Sequence, residues 1–175
     1  MRETITLLRH LVAILVLPFV MVVIVPRWIL RAWSVWDTRW IGGTVAAASA
    51  HGAGIVIFLC GLALFTWCVS LFARVGQGTL APWDPTRRLV AVGPYQYVRN
   101  PMITAVVTML IGEALHLGSR VVAVWAVTFL VLNHIYFTLL EEPGLERRFG
   151  AAYAEYKAAV PRWIPRSTPW QSSDG

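Results

Sequence analysis

Uncharged stretches separated by short polar ones dominate the chain. A helix needs about 20 mostly apolar residues to cross a bilayer, and four stretches approach or exceed that length. The pattern predicts membrane-spanning helices over His10–Pro26, Val45–Phe72, Pro101–Leu117 and Val121–Leu140. We therefore expect an all-α, polytopic integral membrane helical bundle with about four transmembrane helices.

Short turns determine how these helices connect. Gly42-Gly43 is typical of a turn before the second helix. The connection 118–120 is so short that the third and fourth helices must be antiparallel neighbours. This hairpin would return Glu141 to the membrane face at which Arg99 lies.

Particular residue types add detail to the apolar helices. Pro18 should kink the first helix. Glycines that favour close approach of another helix lie in the second, namely Gly52, Gly54 and Gly61. Tryptophans typical of a helix lying along the membrane interface follow the first, namely Trp28, Trp33, Trp36 and Trp40.

Two polar segments lie outside the predicted spans. Residues 74–100 are rich in glycine and proline, which indicates a loop, and loops this long in a compact bundle are usually functional. Apolar and aromatic residues recur at helical spacing over residues 145–156, which predicts a cytosolic amphipathic helix. This helix should end before Val160-Pro161, and an irregular tail is expected from Trp163.

The composition supports a membrane protein. Only 14% of the residues are charged and 57% are hydrophobic, with a mean hydropathy of +0.61, whereas a soluble domain carries about 25% charged residues. A net charge of +6 could suggest a nucleic-acid partner, but the basic residues lie between apolar spans rather than on one soluble face. We therefore expect no nucleic acid and attribute the charge to topology and anionic lipid.

The charge distribution predicts the orientation. Eleven of the 15 Lys and Arg residues lie on the side that holds both termini and the 74–100 loop. The positive-inside rule places that side in the cytosol, and we expect a bacterial inner membrane. Cys60 and Cys68 would lie about 12 Å apart along one helix, too far for a disulfide. No cluster of Cys and His suggests a metal site.

The chemistry-bearing residues lie at the two ends of the predicted hairpin. Arg99 offers a forked donor for a carboxylate, and Asn100 offers donors and acceptors. Glu141 and Glu142 suit a ribose diol or an ammonium group. Tyrosines that could stack on a purine or face a cation are Tyr95, Tyr97, Tyr153 and Tyr156. S-adenosylmethionine carries a matching group for each of these side chains: a carboxylate and an ammonium group, a ribose diol, a purine and a positively charged sulfur. A dinucleotide would match many of the same side chains.

His134 and its neighbour Asn133 are polar residues inside the fourth span, and such residues are functional candidates. Glu142 or His134 could accept a proton from a methyl acceptor, and Asn100 is a third catalytic candidate. The alternatives remain open: His134 could bind a neighbouring helix, and Arg99 could anchor to a lipid phosphate.

The ordered motifs resemble those of the isoprenylcysteine carboxyl methyltransferase and phospholipid methyltransferase superfamily. They run Gly-Pro-Tyr-x-Tyr-Val-Arg-Asn-Pro-Met at 93–102, Gly-Glu-Ala-Leu at 112–115, Glu-Glu-Pro-x-Leu-x-x-x-Phe-Gly-x-x-Tyr-x-x-Tyr-Lys at 141–157, and Val160-Pro161. The resemblance covers residues 76–166.

The resemblance implies that the last hairpin and the C-terminal segment enclose S-adenosylmethionine from the cytosol, while the acceptor enters from the bilayer. The predicted cofactor-site residues are Tyr95, Tyr97, Val98, Arg99, Asn100, Pro101, Glu141, Glu142, Tyr153 and Tyr156.

Two departures from the family pattern bear, in turn, on the cofactor contacts and on the substrate. Many members have His at the position of Asn100 and Tyr at that of Ile103. The carboxyl methyltransferases of eukaryotes have an arginine, associated with the substrate carboxylate, at the position of Ala159. Arg162 follows Pro161 and could replace it.

We expect one methyltransferase domain over residues 1–175, with N-terminal spans (1–73), a cofactor-binding catalytic core (74–166) and a tail (167–175). Its predicted function is S-adenosylmethionine-dependent N-, S- or O-methylation of a lipophilic or lipid-like acceptor at the cytosolic membrane face. Two alternatives are an NADPH-dependent membrane enzyme of the sterol-reductase type and a non-catalytic membrane binding or assembly protein. The sequence does not define the accepting atom, the general base or the oligomeric state.

Overall fold

The computed structural model describes residues 18–35, 37, 45–75 and 89–171, and the regular structure of these residues is entirely helical. The helices are α1 (Val25–Ala32), α2 (Val45–Val75), α3 (Pro101–Leu117), α4 (Arg120–Tyr136), α5 (Glu142–Phe149) and α6 (Ala151–Ala159). Three short turns complete them: π-helical turns at Val20–Ile24 and Phe137–Glu141, and a 3₁₀ turn at Gly93–Gln96. The predicted all-α class is confirmed for this part of the chain.

Two helical segments are long and apolar enough to cross a bilayer. They are Val45–Phe72 and the continuous segment Arg120–Phe149, while Pro101–Leu117 is apolar but shorter. At 1.5 Å per residue a 30-residue helix is about 45 Å long, which exceeds the roughly 30 Å hydrocarbon layer. The polar residues after Leu140 therefore extend beyond that layer. Residues 10–17 of the first predicted span lie outside the described residues, so four crossings stay a prediction.

Close packing of α2 against α3 forms the centre of the bundle. A Cβ atom added at Gly112 would lie 2.5 Å from the backbone nitrogen of Phe58, and one added at Gly54 would lie 2.5 Å from that of His116. Gly61 is equally restricted, with the carbonyl oxygen of Ala105 at 2.8 Å. The predicted role of Gly54 and Gly61 in close helix contact is confirmed. A Cβ atom added at Gly52, in contrast, would meet no atom within 4 Å beyond the backbone of its own helix.

We expect Gly112→Ala to lower the thermal unfolding midpoint of the detergent-purified protein. The new methyl group would meet backbone atoms that cannot rotate away, and overpacking of this kind costs about 1–3 kcal/mol. The matched control is Gly52→Ala, which should be neutral or slightly stabilising because alanine is the better helix former. Equal midpoints for the two variants would contradict this account of the α2–α3 contact.

A two-residue turn makes α3 and α4 an antiparallel hairpin, as predicted. Gly118 ends α3 in the left-handed region with φ 65° and donates its N–H to Ala114 and Leu115, a conformation that favours glycine. The buried Ser119 hydroxyl accepts from the N–H of Val122 and so caps α4. It also donates to Oδ1 of Asp37 at 3.0 Å, which attaches the segment after α1 to this turn.

The exit from the last apolar helix differs from the prediction. The fourth span was expected to end at Leu140, before Glu-Glu-Pro, but the chain continues through a π turn into α5. Pro143 has no N–H to donate, and a π-helical adjustment lets a helix accommodate such a residue. The predicted single helix over 145–156 is also wrong, because Gly150 separates α5 from α6 with φ 54° and ψ −129°. That conformation is essentially restricted to glycine.

The interfacial tryptophan prediction is tested in part. Trp28 and Trp33 are 66% and 53% exposed, as expected for side chains that face lipid or the interface. Trp28 lies on α1, which ends at Ala32, and Trp33 begins the turn that follows, so the helix is shorter than predicted. Trp36, Trp40 and the Gly42-Gly43 turn lie outside the described residues.

A cluster of aromatic and aliphatic side chains attaches the C-terminal helix to the segment before α3. Tyr153, Tyr156 and Val160 are buried in it. Partly buried residues complete the cluster, namely Leu89, Ala91, Leu145, Phe149 and Trp170. The C-terminal region is thereby held against residues 89–100, which contain the motif singled out by the sequence.

Candidate functional site

The motif at 93–101 reverses the chain and starts α3. Gly93 has φ 60°, and the 3₁₀ turn that follows buries Pro94 and Tyr95. Pro101 occupies the first turn of α3, where a missing N–H costs little. Asn100 precedes it without capping the helix through its side chain. Its carbonyl oxygen accepts from Thr104, so the Asn100 side chain remains available for another role.

Residues 161–171, here called the C-terminal strap, run alongside this motif. The N–H of Arg99 donates to the carbonyl of Pro161 at 2.9 Å, and the N–H of Arg166 donates to Tyr97 at 3.0 Å. Gln96 and Trp170 are joined by two hydrogen bonds of 3.0 Å. The strap contains no helix, as the irregular-tail prediction implied, but main-chain hydrogen bonds fix it to the motif.

The two tyrosines of α6 are buried in this arrangement. The Tyr156 hydroxyl donates to the carbonyl oxygen of Tyr95 at 2.7 Å, and its ring packs edge-on against Trp170 at 5.2 Å between centroids. Burial raises the pKa of Tyr156 well above its usual value. Burial, followed by the charge of Glu142, also raises the pKa of Tyr153. Both phenols therefore stay protonated near neutral pH.

Glu142 is the centre of a cluster of charged side chains. Its carboxylate is only 3% exposed, and Nη1 of Arg99 lies 3.0 Å from Oε1. Arg162 binds it through both oxygens, from Nε at 2.7 Å and from Nη2 at 2.9 Å. Lys157 lies 3.4 Å from Oε2 and donates to Glu146 at 2.7 Å. Bidentate Arg–carboxylate geometry of this kind is strong and directional.

Three buried donor atoms beside this cluster have no hydrogen-bond acceptor in the described part of the chain. They are Nε and Nη1 of Arg99 and Nδ2 of Asn100. Nη1 is close to Glu142 but is not aligned for a hydrogen bond with it. Leaving a buried donor unpaired costs about 1–3 kcal/mol. Such atoms therefore indicate a place where an acceptor group binds.

The structure separates the two adjacent glutamates. Glu142 faces the cations, while Glu141 accepts a hydrogen bond from the Tyr136 hydroxyl at 3.2 Å. The π turn at Phe137–Glu141 explains the difference between the two glutamates. A π turn contains more residues than an α-helical turn, so it changes the direction in which each of the residues after Thr138 points. Of the predicted pair, Glu142 is the one that the structure brings to Arg99.

His134 lies on the same face of the helix as Thr138 and Glu142, and the strap reaches it. The indole N–H of Trp163 donates to Nδ1 of His134 at 3.0 Å. Nη1 of Arg162 donates to the Thr138 hydroxyl at 2.8 Å and lies 3.4 Å from the same His134 nitrogen. Arg162 therefore connects Glu142, Thr138 and His134.

A shallow apolar groove of about 270 Å³ borders the motif. It is lined by Leu64, Trp67, Pro94, Tyr97, Val98, Pro101, Thr104 and Pro165. Trp67 is 54% exposed on the outer face of α2. The groove therefore leads from the apolar outer surface of the helices to the motif.

Comparison with known proteins identifies the family of this chain. The family model for phospholipid methyltransferase matches residues 49–152, more than half of the chain. The chain belongs to the phospholipid methyltransferase family. No curated protein and no solved structure matches it in the corresponding searches. The family is part of the superfamily that also contains the isoprenylcysteine methyltransferases, so the resemblance stated above is confirmed.

Membership of the phospholipid methyltransferase family implies a membrane-associated methyltransferase that acts on lipid-like substrates. The matched region extends from α2 to the start of α6. It contains the whole predicted cofactor site apart from Tyr153 and Tyr156. The strap lies outside the matched region.

Sequence reasoning did not place three residues of this phospholipid methyltransferase site. Lys157, Trp163 and Thr138 contact Glu142, His134 and Arg162 respectively. Thr138 lies four residues from both His134 and Glu142, a helical spacing that could have indicated it, whereas Lys157 and Trp163 give no periodic signal. Residues 76–88 of the predicted site-forming loop lie outside the described residues. Within the described part, no group of three or more His, Cys, Asp or Glu side chains could hold a metal ion.

Proposed function

We propose that this protein is an S-adenosylmethionine-dependent methyltransferase with a lipid-like acceptor. The family supports methyl transfer, and the observation that carries the cofactor assignment is the set of unpaired buried donors on Arg99 and Asn100. Donors of this kind fit the carboxylate and the ring nitrogens of S-adenosylmethionine. When bound, this cofactor supplies a methyl group activated by a positively charged sulfur.

In this proposal Arg99 and Asn100 bind the cofactor, and Glu142 positions them. The guanidinium of Arg99 is 10% exposed and lies against Glu142, which limits its orientation. Its forked donor suits a carboxylate better than a lysine would. Pro101 and Val98 fix the backbone on either side of these two residues. Positioning of reactants in this way contributes a large share of catalysis.

The same contacts support a positioning role for the catalytic candidates. Both oxygens of Glu142 accept hydrogen bonds from Arg162, and Nδ1 of His134 accepts one from Trp163. A general base needs a lone pair within reach of the proton that it removes. We therefore assign Glu142 to holding the cations of the site, while Asn100 remains a donor beside the reacting groups.

We place the hydrocarbon chain of the acceptor in the apolar groove. Its lining is almost entirely apolar, and it opens beside Tyr97 and Val98 next to the proposed cofactor donors. A groove of about 270 Å³ is smaller than a typical site for a whole ligand of drug size, which suits one segment of a longer chain. The count of basic residues supports a cytosolic location for this face, and we propose a bacterial inner membrane.

The proposal is tested with purified protein in nanodiscs, methyl-labelled S-adenosylmethionine and a bacterial lipid extract. We expect label to enter the lipid fraction, and mass spectrometry of the product would identify the accepting atom. Asn100→Ala should abolish most of the labelling, because it removes an unpaired donor. Thr108→Ala is the matched control, because this hydroxyl donates only to the carbonyl of Thr104 within α3.

Two other outcomes would overturn the assignment. Oxidation of NADPH by the nanodisc preparation, without transfer of label, would indicate a membrane reductase. Calorimetry that detects no binding of S-adenosylmethionine to folded protein would instead indicate a non-catalytic membrane protein.

A further inference from the structure

The contacts of His134 determine which of its nitrogens carries the proton. An indole N–H can only donate a hydrogen bond, and that of Trp163 points at Nδ1 of His134 at 3.0 Å. An arginine N–H can also only donate, and Nη1 of Arg162 approaches the same nitrogen at 3.4 Å. Two donors on one nitrogen require a lone pair there. Neutral His134 therefore carries its proton on Nε2.

This tautomer makes Nε2 a donor. His134 is exposed on α4, two helical turns before Glu142 and close to where the apolar part of the helix ends. No hydrogen bond from Nε2 to another described residue accompanies the two contacts at Nδ1. The side chain thus offers an N–H, and not a lone pair, about two helical turns from the Glu142 cluster.

We propose that His134 binds an anionic oxygen of the lipid acceptor through its Nε2–H, and that Trp163 and Arg162 are positioning residues that maintain this tautomer. This inference rests on the proposed function, because it concerns the acceptor of the same site. The oxygen could belong to a phosphodiester or to a carboxylate, and both provide the same charged acceptor chemistry. Hydrogen bonds to charged groups are the stronger class.

The strap holds this arrangement in place. Residues Pro161 and Arg166 are fixed to the motif by main-chain hydrogen bonds, and Arg162 is fixed by Glu142. Trp163 lies between these anchors, so the position of its indole N–H is determined by the motif and the charge cluster together. The strap therefore contributes Arg162 to the Glu142 cluster and, through Trp163, determines which nitrogen of His134 accepts a hydrogen bond.

The tautomer is tested directly by nuclear magnetic resonance on the full chain in nanodiscs with ¹⁵N-labelled histidine. His134→Gln assigns the signal. We expect an unprotonated Nδ1 and a protonated Nε2 in the wild type, and a mixture of tautomers in Trp163→Phe, which keeps the ring and removes the donor. A protonated Nδ1 in the neutral wild-type side chain would overturn the proposal.

Substrate binding is tested with two replacements that resemble opposite sides of imidazole. The amide nitrogen of His134→Gln reaches the position of Nε2, whereas that of His134→Asn reaches only that of Nδ1. For an acidic acceptor we expect His134→Asn to raise KM about tenfold, the worth of one hydrogen bond to a charged group, and His134→Gln to raise it much less. Trp163→Phe should raise KM in the same direction.

Three short-chain lipid probes distinguish the source of the oxygen: a phosphatidylglycerol, a fatty acid and an uncharged diacylglycerol. We expect the first or the second to shift the His134 Nε2 signal, and the third to leave it unchanged. Equal shifts with all three probes, or no shift with any, would overturn the proposal. Because this titration needs no methyl transfer, it gives an answer even if the proposed enzyme activity fails its own test.

Discussion

Glu142→Gln is expected to lower the free energy of unfolding by about 3 kcal/mol, near the lower end of the cost of breaking a buried ion pair. The substitution keeps the shape of the side chain but removes the charge that neutralises Arg99, Arg162 and Lys157. Arg99 is 10% exposed and would be left without compensation in a poorly solvated position. The better solvation of Lys157, which is 37% exposed, keeps the cost from being larger.

Thermal and denaturant unfolding of the purified protein in one detergent would measure this effect. The matched control is Glu146→Gln, which removes a carboxylate from the same lysine at a side chain that is 44% exposed. Exposed ion pairs contribute about 0–1 kcal/mol, so this variant should unfold close to the wild type. If the two glutamate variants lost similar amounts of unfolding free energy, the buried cluster would contribute no more to stability than the exposed ion pair.

Arg99→Ala is expected to weaken the binding of S-adenosylmethionine at least 30-fold. Truncating one partner of a buried, hydrogen-bonded charge pair costs about 2–5 kcal/mol, and about 1.4 kcal/mol corresponds to a tenfold change in affinity. Arg99→Lys keeps the charge beside Glu142 but loses the planar fork. We therefore expect this variant to retain most of the stability and to bind the cofactor with intermediate affinity.

Isothermal titration calorimetry in nanodiscs would give these affinities. Arg147→Ala provides the control, because Arg147 is exposed and donates only to the carbonyl of Pro143 in its own helix. Its affinity for the cofactor should equal that of the wild type. Unchanged binding by Arg99→Ala would remove Arg99 from the cofactor site, and with it the reason for placing the cofactor there.

The local features of the fold were the most predictable. The bounds of the second and third predicted helices match α2 and α3 closely, because uncharged runs and a leading proline are signals within a few residues of each other. The hairpin followed from the short Gly118-Ser119 turn. The break at Gly150 was missed, because the hydrophobic repeat continues across it and a positive φ leaves no mark on the periodicity.

The sequence predicted which residues of the candidate site lie at one membrane face, but not how their side chains are oriented. Arg99 and Asn100 precede a helix and Glu142 follows one, so the hairpin alone places them at one membrane face. The orientation of each side chain was not predictable. Glu141 and Glu142 are equivalent in the sequence, and a π turn gives the buried position to Glu142.

The amino-acid sequence is enough to predict that this chain is helical and apolar, and that Arg99, Asn100 and the two glutamates flank one hairpin, because hydrophobic runs and turn residues act over short distances along the chain. The return of the strap to the motif, and the contacts of Arg162 and Trp163 with Glu142 and His134, are visible only in the folded protein. Those contacts join residues 20 and 29 positions apart across a helix break. Hydrogen bonds of that kind depend on the path of the backbone, which no periodicity records.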